Sequence, residues 1–339
     1  MIKKTVRIVL FALFALFAAV FVFFFVGKAP IAKEIVWGVN FSQKHAINMK
    51  LDWKETFLAL LDELGAEHVK ISIDWDMIQG DNPNFFFQDV DWQMRELEKR
   101  GAKAFLVIGN KTTRWPECHI PSWVKVLPKD QQQSAALRLV KGLVERYKNS
   151  PALEMWQAEN EPFFPFGECQ WSDIDFVKKE VALIKSLDQK HPVVITASGE
   201  WSLWRRSSII GDMTGSTLYR RVWFSFPKTS LPQWFIRYPF PPVFYWRRAL
   251  LADKLFSKKV IVGELQAEPW SQKLLYDTTV EEQAKTMNPE FFREIVSYAK
   301  RTGLNTFYLW GSEWWYWMKV KQNNPEMWEE AKKLFEAKL

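Results

Sequence analysis

Residues Leu153–Phe166 read Leu-Glu-Met-Trp-Gln-Ala-Glu-Asn-Glu-Pro-Phe-Phe-Pro-Phe. A short strand pattern runs into Asn160-Glu161-Pro162. Proline donates no backbone hydrogen bond and pushes the residue before it toward an extended conformation. Glu161 is therefore expected at the very end of a strand, where the chain turns into a loop. A carboxylic acid fixed there, beside an amide, suits a general acid reaching a bond held over a sheet edge. Taken alone, the stretch reads more simply as a strand-ending turn with solvated carboxylates.

A second stretch changes that weighting. Lys259-Val260-Ile261-Val262-Gly263-Glu264-Leu265-Gln266 is a short apolar run in which Glu264 falls at the carboxyl end. Continuous apolar runs of this length fit strands buried on both faces, as in parallel sheets. Hydrolysis of a glycosidic bond needs two carboxylates flanking it, and here are two, each at a strand tip.

Asn160-Glu161-Pro162 and Gly263-Glu264 resemble the acid/base and nucleophile motifs of the clan A retaining glycoside hydrolases, family 5 among them. The resemblance covers about Val36 to Trp315. It implies a (β/α)8 barrel with one catalytic Glu after strand 4 and the other after strand 7. Spacing tests the pair independently. A barrel of ~250 residues has roughly 31 per βα unit, so three units need roughly 94. Glu161 and Glu264 are 103 apart, which fits with modest loop insertions.

The 339 residues are 48% hydrophobic, enough for one large core. Residues 1–30 read as a separate segment and 31–339 as the barrel domain. Lys3, Lys4 and Arg7 precede an apolar run from Ile8 to Val26, long enough to cross a bilayer core as a helix. No clean Ala-x-Ala follows, which favours an uncleaved signal-anchor over a cleaved signal peptide. In either case the barrel is expected outside the cytoplasm, because the basic start stays inside. The formal charge is +7, but Lys3, Lys4, Arg7 and Lys28 supply four of it and the remainder is only +3. That is no footprint for nucleic acid. Neither Gly-x-Gly-x-x-Gly nor a Walker A motif is present, which counts against nucleotide binding.

Strands are expected at Glu34–Ser42, His68–Asp74, Ala104–Gly109, Leu153–Gln157, Val193–Ala197, Met213–Leu218, Val260–Glu264 and Thr306–Trp310. Helices are expected at Trp53–Leu64, Val90–Arg100, Leu137–Tyr147, Ile174–Leu187, Phe291–Thr302 and Met327–Ala337. The alternation implies a parallel sheet. Val222–Lys258, rich in aromatics and prolines, reads as part of the loop after strand 6. It either walls a substrate cleft, touches a bilayer surface or packs on the barrel. Ala267–Asn288 is a second long loop.

The resemblance assigns further roles. Asn160 matches the asparagine that bonds the sugar 2-hydroxyl, with a turn cap as its plain alternative. Trp310 ends strand 8, where the family places a sugar platform, and core packing is the alternative. Tyr219 follows strand 6, where a Tyr or His orients the nucleophile. Trp37, Asn40, Trp75, Asn110, Trp115, His119 and Trp123 lie at or beyond the ends of strands 1 to 3 and are subsite or structural residues. Asn40-Phe41-Ser42 and Asn110-Lys111-Thr112 match glycosylation sequons, but at strand ends they read as site lining. One departure stands out. Many clan members carry an Arg on strand 2 that holds the nucleophile, and the matching place here has Lys70. Either Lys70 faces outward and another residue serves, or the support differs. Nineteen tryptophans suit stacking on sugar faces, although most Trp in any protein are packing residues.

Cys118 and Cys169 follow strands 3 and 4. They form a disulfide between adjacent loops or remain two buried thiols. Two Cys and four scattered His offer no structural zinc set. The expectation is a monomeric, membrane-anchored retaining β-glycosidase acting on a carbohydrate, with Glu161 as acid/base and Glu264 as nucleophile. It would need no metal or organic cofactor. The rival expectation is a catalytically silent barrel that binds glycans.

Overall fold

Eight parallel strands close into a ring in the computed structural model, which describes residues 2–81, 84–224, 234–271 and 273–337. They are β1 Val36–Ser42, β2 His68–Ser72, β3 Lys103–Ile108, β4 Leu153–Ala158, β5 Val193–Ala197, β6 Met213–Leu218, β7 Val260–Gln266 and β8 Thr306–Trp310. Each strand pairs with its neighbours in sequence, and β1 pairs with β8. With helices between the strands, this is a (β/α)8 TIM barrel.

The pattern that builds it is simple. Side chains pointing outward from the strands, such as Val39, Phe41, Val69, Ile71, Leu106 and Ile108, join the apolar faces of the helices in one core. Side chains pointing inward are fewer. Phe105, Met155, Val194, Ile261 and Tyr308 plug the barrel. The Tyr308 ring needs the space that Gly38 leaves, since a Cβ there would fall 2.6 Å from the ring. The amino-terminal half is thereby dry and filled, and the polar inward residues gather at the carboxyl ends of the strands.

Two expected boundaries differ in ways that matter. The long region after β6 is not a single loop. Arg221–Phe224 and Trp234–Arg237 pair as an antiparallel hairpin, and Pro242–Phe256 is a helix with proline in its first turn. Proline is tolerated there because the first turn lacks N–H partners anyway. Residues 225–233 of this region lie outside the described residues. β7 also runs two residues beyond Glu264.

The helix Ile2–Phe25 is long and apolar enough to cross a membrane. Most of it is exposed, and only its last turn meets the barrel. Phe24 lies 5.9 Å from Phe244, and Phe25 lies 5.4 Å from Phe244 and 6.3 Å from Phe240.

Candidate active site

Glu264 owes its aim to a bulge. Between Val262 and Leu265, β7 carries one residue more than the facing segment Phe307–Leu309 of β8, and the register against β6 shifts at the same place. An extra residue bends a strand and re-aims a side chain. Gly263 supplies that residue, and its carbonyl accepts from Asn40 Nδ2 at 3.0 Å and Lys70 Nζ at 3.3 Å. Glu264, 4% exposed, accepts from Lys70 Nζ at 3.3 Å on Oε1 and from the Tyr219 hydroxyl at 2.9 Å on Oε2. Lys70 therefore faces inward and is itself the cationic support. Burial pushes its ammonium pKa down, and the Glu264 carboxylate opposes that shift. Burial and the same carboxylate push the Tyr219 phenol well up, so it stays a donor.

Glu161 is held differently. β4 ends at Ala158, and the chain then turns through left-handed backbone at Glu159 (φ 60°) and Glu161 (φ 40°). The expectation of an extended Glu161 ending the strand is thus corrected. Tertiary bonds outweigh the local preference that Pro162 imposes. The Glu159 carboxylate accepts the backbone N–H groups of Asn110 and Lys111, and Asn160 N–H donates to the Lys111 carbonyl at 2.6 Å. Glu161 N–H donates to Thr196 Oγ1 at 2.8 Å, and Lys111 Nζ donates to the Glu161 carbonyl at 3.1 Å. The main chain is pinned, whereas the carboxyl Oε1 is buried with no hydrogen-bond partner among the described residues. Burial, then the charges of Glu264 and Glu117, raise the Glu161 pKa well above the ordinary carboxylate value.

Around this pair lies a ring of further ionisable groups. Glu117 sits 3.0 Å from Lys111 Nζ, and burial brings its pKa to about 7. Glu200, held by Tyr219 N–H at 2.9 Å and the Tyr245 hydroxyl at 2.8 Å, is likewise raised by burial to about 7. Arg114 pairs with Glu268 and, at 2.9 Å, with Glu313, and its guanidinium lies 3.9 Å above the Trp310 ring. Behind β4, the buried Glu180 faces Glu159, and burial beside that carboxyl raises its pKa well above the usual range.

The expected site residues divide into groups. Asn160 is buried beside the acid, its Oδ1 accepting from Gln157 Nε2 at 2.9 Å. Trp310 donates from Nε1 to Glu268 at 2.8 Å and packs with Tyr219 and Trp270 along one wall. Trp115 is half exposed and joins Phe166, Trp270 and Tyr219 in a row of rings with successive centroids 5.8, 5.9 and 5.1 Å apart. Asn40 reaches the barrel interior but is engaged with the carbonyls of Gly263, Tyr308 and Leu309. Trp37 is not brought to the mouth. It stacks on Phe307 at 5.1 Å in the layer between strands and helices. His119 braces its own loop, with Nε2 at 3.2 and 3.1 Å from the carbonyls of Thr113 and Arg114. Trp75 is fully buried, Asn110 lies behind the Glu159 clamp, and Trp123 packs against the core. Both sequon asparagines are buried. Cys118 and Cys169 are bonded, with Cα atoms 5.2 Å apart, and join the loops after β3 and β4.

Sequence reasoning missed Glu117, Glu200, Glu268, Arg114, Lys111 and Trp270. Glu268 carried a faint signal, lying four residues after Glu264 on the same strand end. The rest sit in irregular loops, where no periodicity reports direction.

A closed parallel barrel with a buried glutamate beyond β4 and another near the end of β7 is the architecture of the clan A glycoside hydrolases. A family model for cellulase (glycosyl hydrolase family 5) matches residues 34–228, and the chain belongs to that family. The match includes Glu161 and stops before Glu264. The beta-galactosidase LacZ of Heyndrickxia coagulans is 30% identical over 135 residues. That alignment covers 34% of this chain and only 20% of the relative. Among solved structures, a GH5_18 protein from Streptomyces cattleya in complex with GlcNAc is 13% identical, with a TM-score of 0.55 over 82% of this chain and 70% of its own. A beta-glucosidase from Exiguobacterium marinum is 13% identical, with a TM-score of 0.52 over 83% of this chain and 89% of its own. A polyextremophilic beta-galactosidase from Halorubrum lacusprofundi is 14% identical, with a TM-score of 0.53 over 81% of this chain and 52% of its own. At such identities these likenesses bear on the fold.

Proposed function

We propose that the chain is a retaining glycosidase for β-linked oligo- or polysaccharides, with Glu161 as acid/base and Glu264 as nucleophile. The contrast between the two carboxyls carries this reading. Glu264 accepts from an ammonium and a phenol, which favours a carboxylate able to attack. Glu161 is buried, repelled by its acidic neighbours and raised in pKa, which favours a proton available for donation. The family match and the β-glycosidase names of its relatives support the substrate class.

The steps follow from that asymmetry. Glu161 gives its proton to the glycosidic oxygen as Glu264 attacks the anomeric carbon and the C–O bond breaks. The ester at Glu264 carries no charge, so Glu161 loses its main repulsive partner and remains ionised. It then takes a proton from water as the water oxygen attacks the anomeric carbon and releases Glu264. Asn160 is placed to bond the sugar 2-hydroxyl, and Trp310, Trp270 and Trp115 present rings to sugar C–H faces. Retention requires the two carboxyls ~5–5.5 Å apart in the complex.

In this reading residues 1–30 are an uncleaved anchor, 31–339 are one catalytic domain that works as a monomer, and the barrel lies outside the cytoplasm. The Cys118–Cys169 bond supports that address, since disulfides persist in oxidising compartments. The test is a cleavage screen of the full chain with aryl β-glycosides and β-glucans, reading the product anomer by NMR. Cleavage giving the β-anomer first is expected. Binding of glycans without cleavage of any would make the chain a silent glycan-binding barrel. A new amino terminus near Ala29 would replace the anchor by a cleaved signal.

A further inference from the structure

Four exposed apolar side chains of the barrel lie on the loop and the two helices that follow β5 and β6. Trp201 is 64% and Leu203 86% exposed in the loop after β5, and Ile209 is 50% exposed in the helix Arg205–Ile210 that follows. Leu255, near the end of helix Pro242–Phe256, is 67% exposed. These two helices pack together. Arg248 of the second lies 3.8 Å over the Trp204 ring and donates to the carbonyls of Gly199 and Ser202. The loop that carries Trp201 and Leu203 is therefore fixed to helix Pro242–Phe256.

That helix also receives the end of Ile2–Phe25. Besides the Phe24 and Phe25 contacts, the Arg247 guanidinium lies 5.0 Å from the Phe23 ring. The apolar run Ile8–Val26 spans roughly 30 Å as a helix, the thickness of a hydrocarbon core. With that run across the core, Phe23–Phe25 emerge at headgroup level, and Phe240, Phe244 and Arg247 sit there with them. Aromatic side chains are favoured at that boundary. From it a row of rings leads to the mouth of the barrel. Phe240 meets Tyr238 at 6.0 Å, Tyr238 meets Trp201 at 5.9 Å, and Trp201 Nε1 donates to the Tyr238 hydroxyl at 2.9 Å. Tyr238 in turn packs against the cleft wall of Tyr219 and Trp310. Beside Leu203, Arg205 and Arg206 are both exposed.

We propose that the rim formed by Trp201, Leu203 and Ile209, with Arg205 and Arg206, docks on the lipid surface that holds the amino-terminal helix. The inference rests on reading Ile2–Phe25 as an anchor. Its occupant is a bilayer bearing anionic headgroups, which the two arginines meet while the apolar side chains enter the interface. The mouth of the barrel then opens beside the membrane.

The test uses single cysteines in the full chain, since Cys118 and Cys169 are bonded to each other and leave only the introduced thiol to label. Phe14→Cys reports the helix and Leu203→Cys the rim. Val126→Cys, 82% exposed in the segment between β3 and helix Lys129–Tyr147, reports open water. Each is labelled with an environment-sensitive fluorophore and placed in vesicles of equal parts phosphatidylcholine and phosphatidylglycerol carrying a doxyl-lipid quencher. The labels at 14 and 203 are expected to shift to the blue, with quenching at 203 at least double that at 126. A label at 203 that behaves like 126 while 14 is quenched overturns the docking and leaves the anchor standing. An unquenched label at 14 removes the anchor, and the docking falls with it.

Discussion

Glu161 and Glu264 are almost equally buried, yet their surroundings differ in kind. Glu264 sits inside a strand, aimed by a bulge, with both oxygens taken by donors. Glu161 sits in a loop whose main chain is pinned by Glu159, Thr196 and Lys111 while its own Oε1 has no partner among the described residues. Burial alone raises a carboxyl pKa, so what distinguishes the two is who supplies protons to their oxygens. One barrel thereby holds two buried carboxyls, one met by donors and one left bare among the described residues.

The contrast breaks most visibly at Glu264. Glu264→Ala is expected to lower kcat on every substrate by roughly a millionfold, the scale of losing a covalent nucleophile. Azide should return turnover with inverted product, read by NMR. Glu161→Ala is expected to cost about 10²–10⁴-fold with poor leaving groups. Its first step with dinitrophenyl glycosides should be largely spared. A glycosyl-enzyme should then accumulate in the mass spectrum, and azide should restore turnover with retained configuration. Azide rescue of Glu264→Ala with retained product would reverse the assigned roles.

The donors on Glu264 sharpen the comparison at smaller scale. Lys70→Met removes the buried cation and is expected to lower kcat/KM by roughly a hundredfold, since it leaves a buried carboxylate without its counter-charge. Tyr219→Phe removes one hydrogen bond and should cost about tenfold.

The last prediction concerns stability. The Glu161 pKa is raised in the fold, so the unfolded chain ionises this group first as pH rises. The native state is therefore destabilised progressively above about pH 4, the ordinary carboxylate range. Glu161→Gln should leave Tm nearly unchanged at pH 4 and raise it at pH 8. Equal Tm values for both proteins at pH 8 would show that the acid is not strained by its site.

The barrel was largely legible because short apolar runs alternate along the chain with helix-length segments. The two glutamates stood out because each follows a short strand pattern, although Glu161 lies in a turn beyond β4 and Glu264 inside β7. What surrounds them was not legible. Lys70 stood out as a departure, but which way it faced depended on the register of β2 against β1 and β3. The bend at Glu161 is set by Glu159 reaching across to Asn110, a contact 49 residues away in sequence. Helix Pro242–Phe256 was hidden because its flanking prolines read as loop. Trp37 misled because a strand residue shows its alternation but not which face meets the helices.

The bond between Cys118 and Cys169, 51 positions apart in sequence, closes a covalent ring that contains helix Lys129–Tyr147, β4 and Glu161. The ring passes through exposed positions such as Lys125 and Val126. A single protease cut there would open the ring without separating the fragments. The fragment with β1 to β3 and Lys70 would stay attached through sulfur to the fragment that carries both glutamates, much as a nicked but bridged hormone stays one molecule. Such a clipped form should run intact on a non-reducing gel, divide in two on a reducing one, and keep both carboxyls in the same cleft.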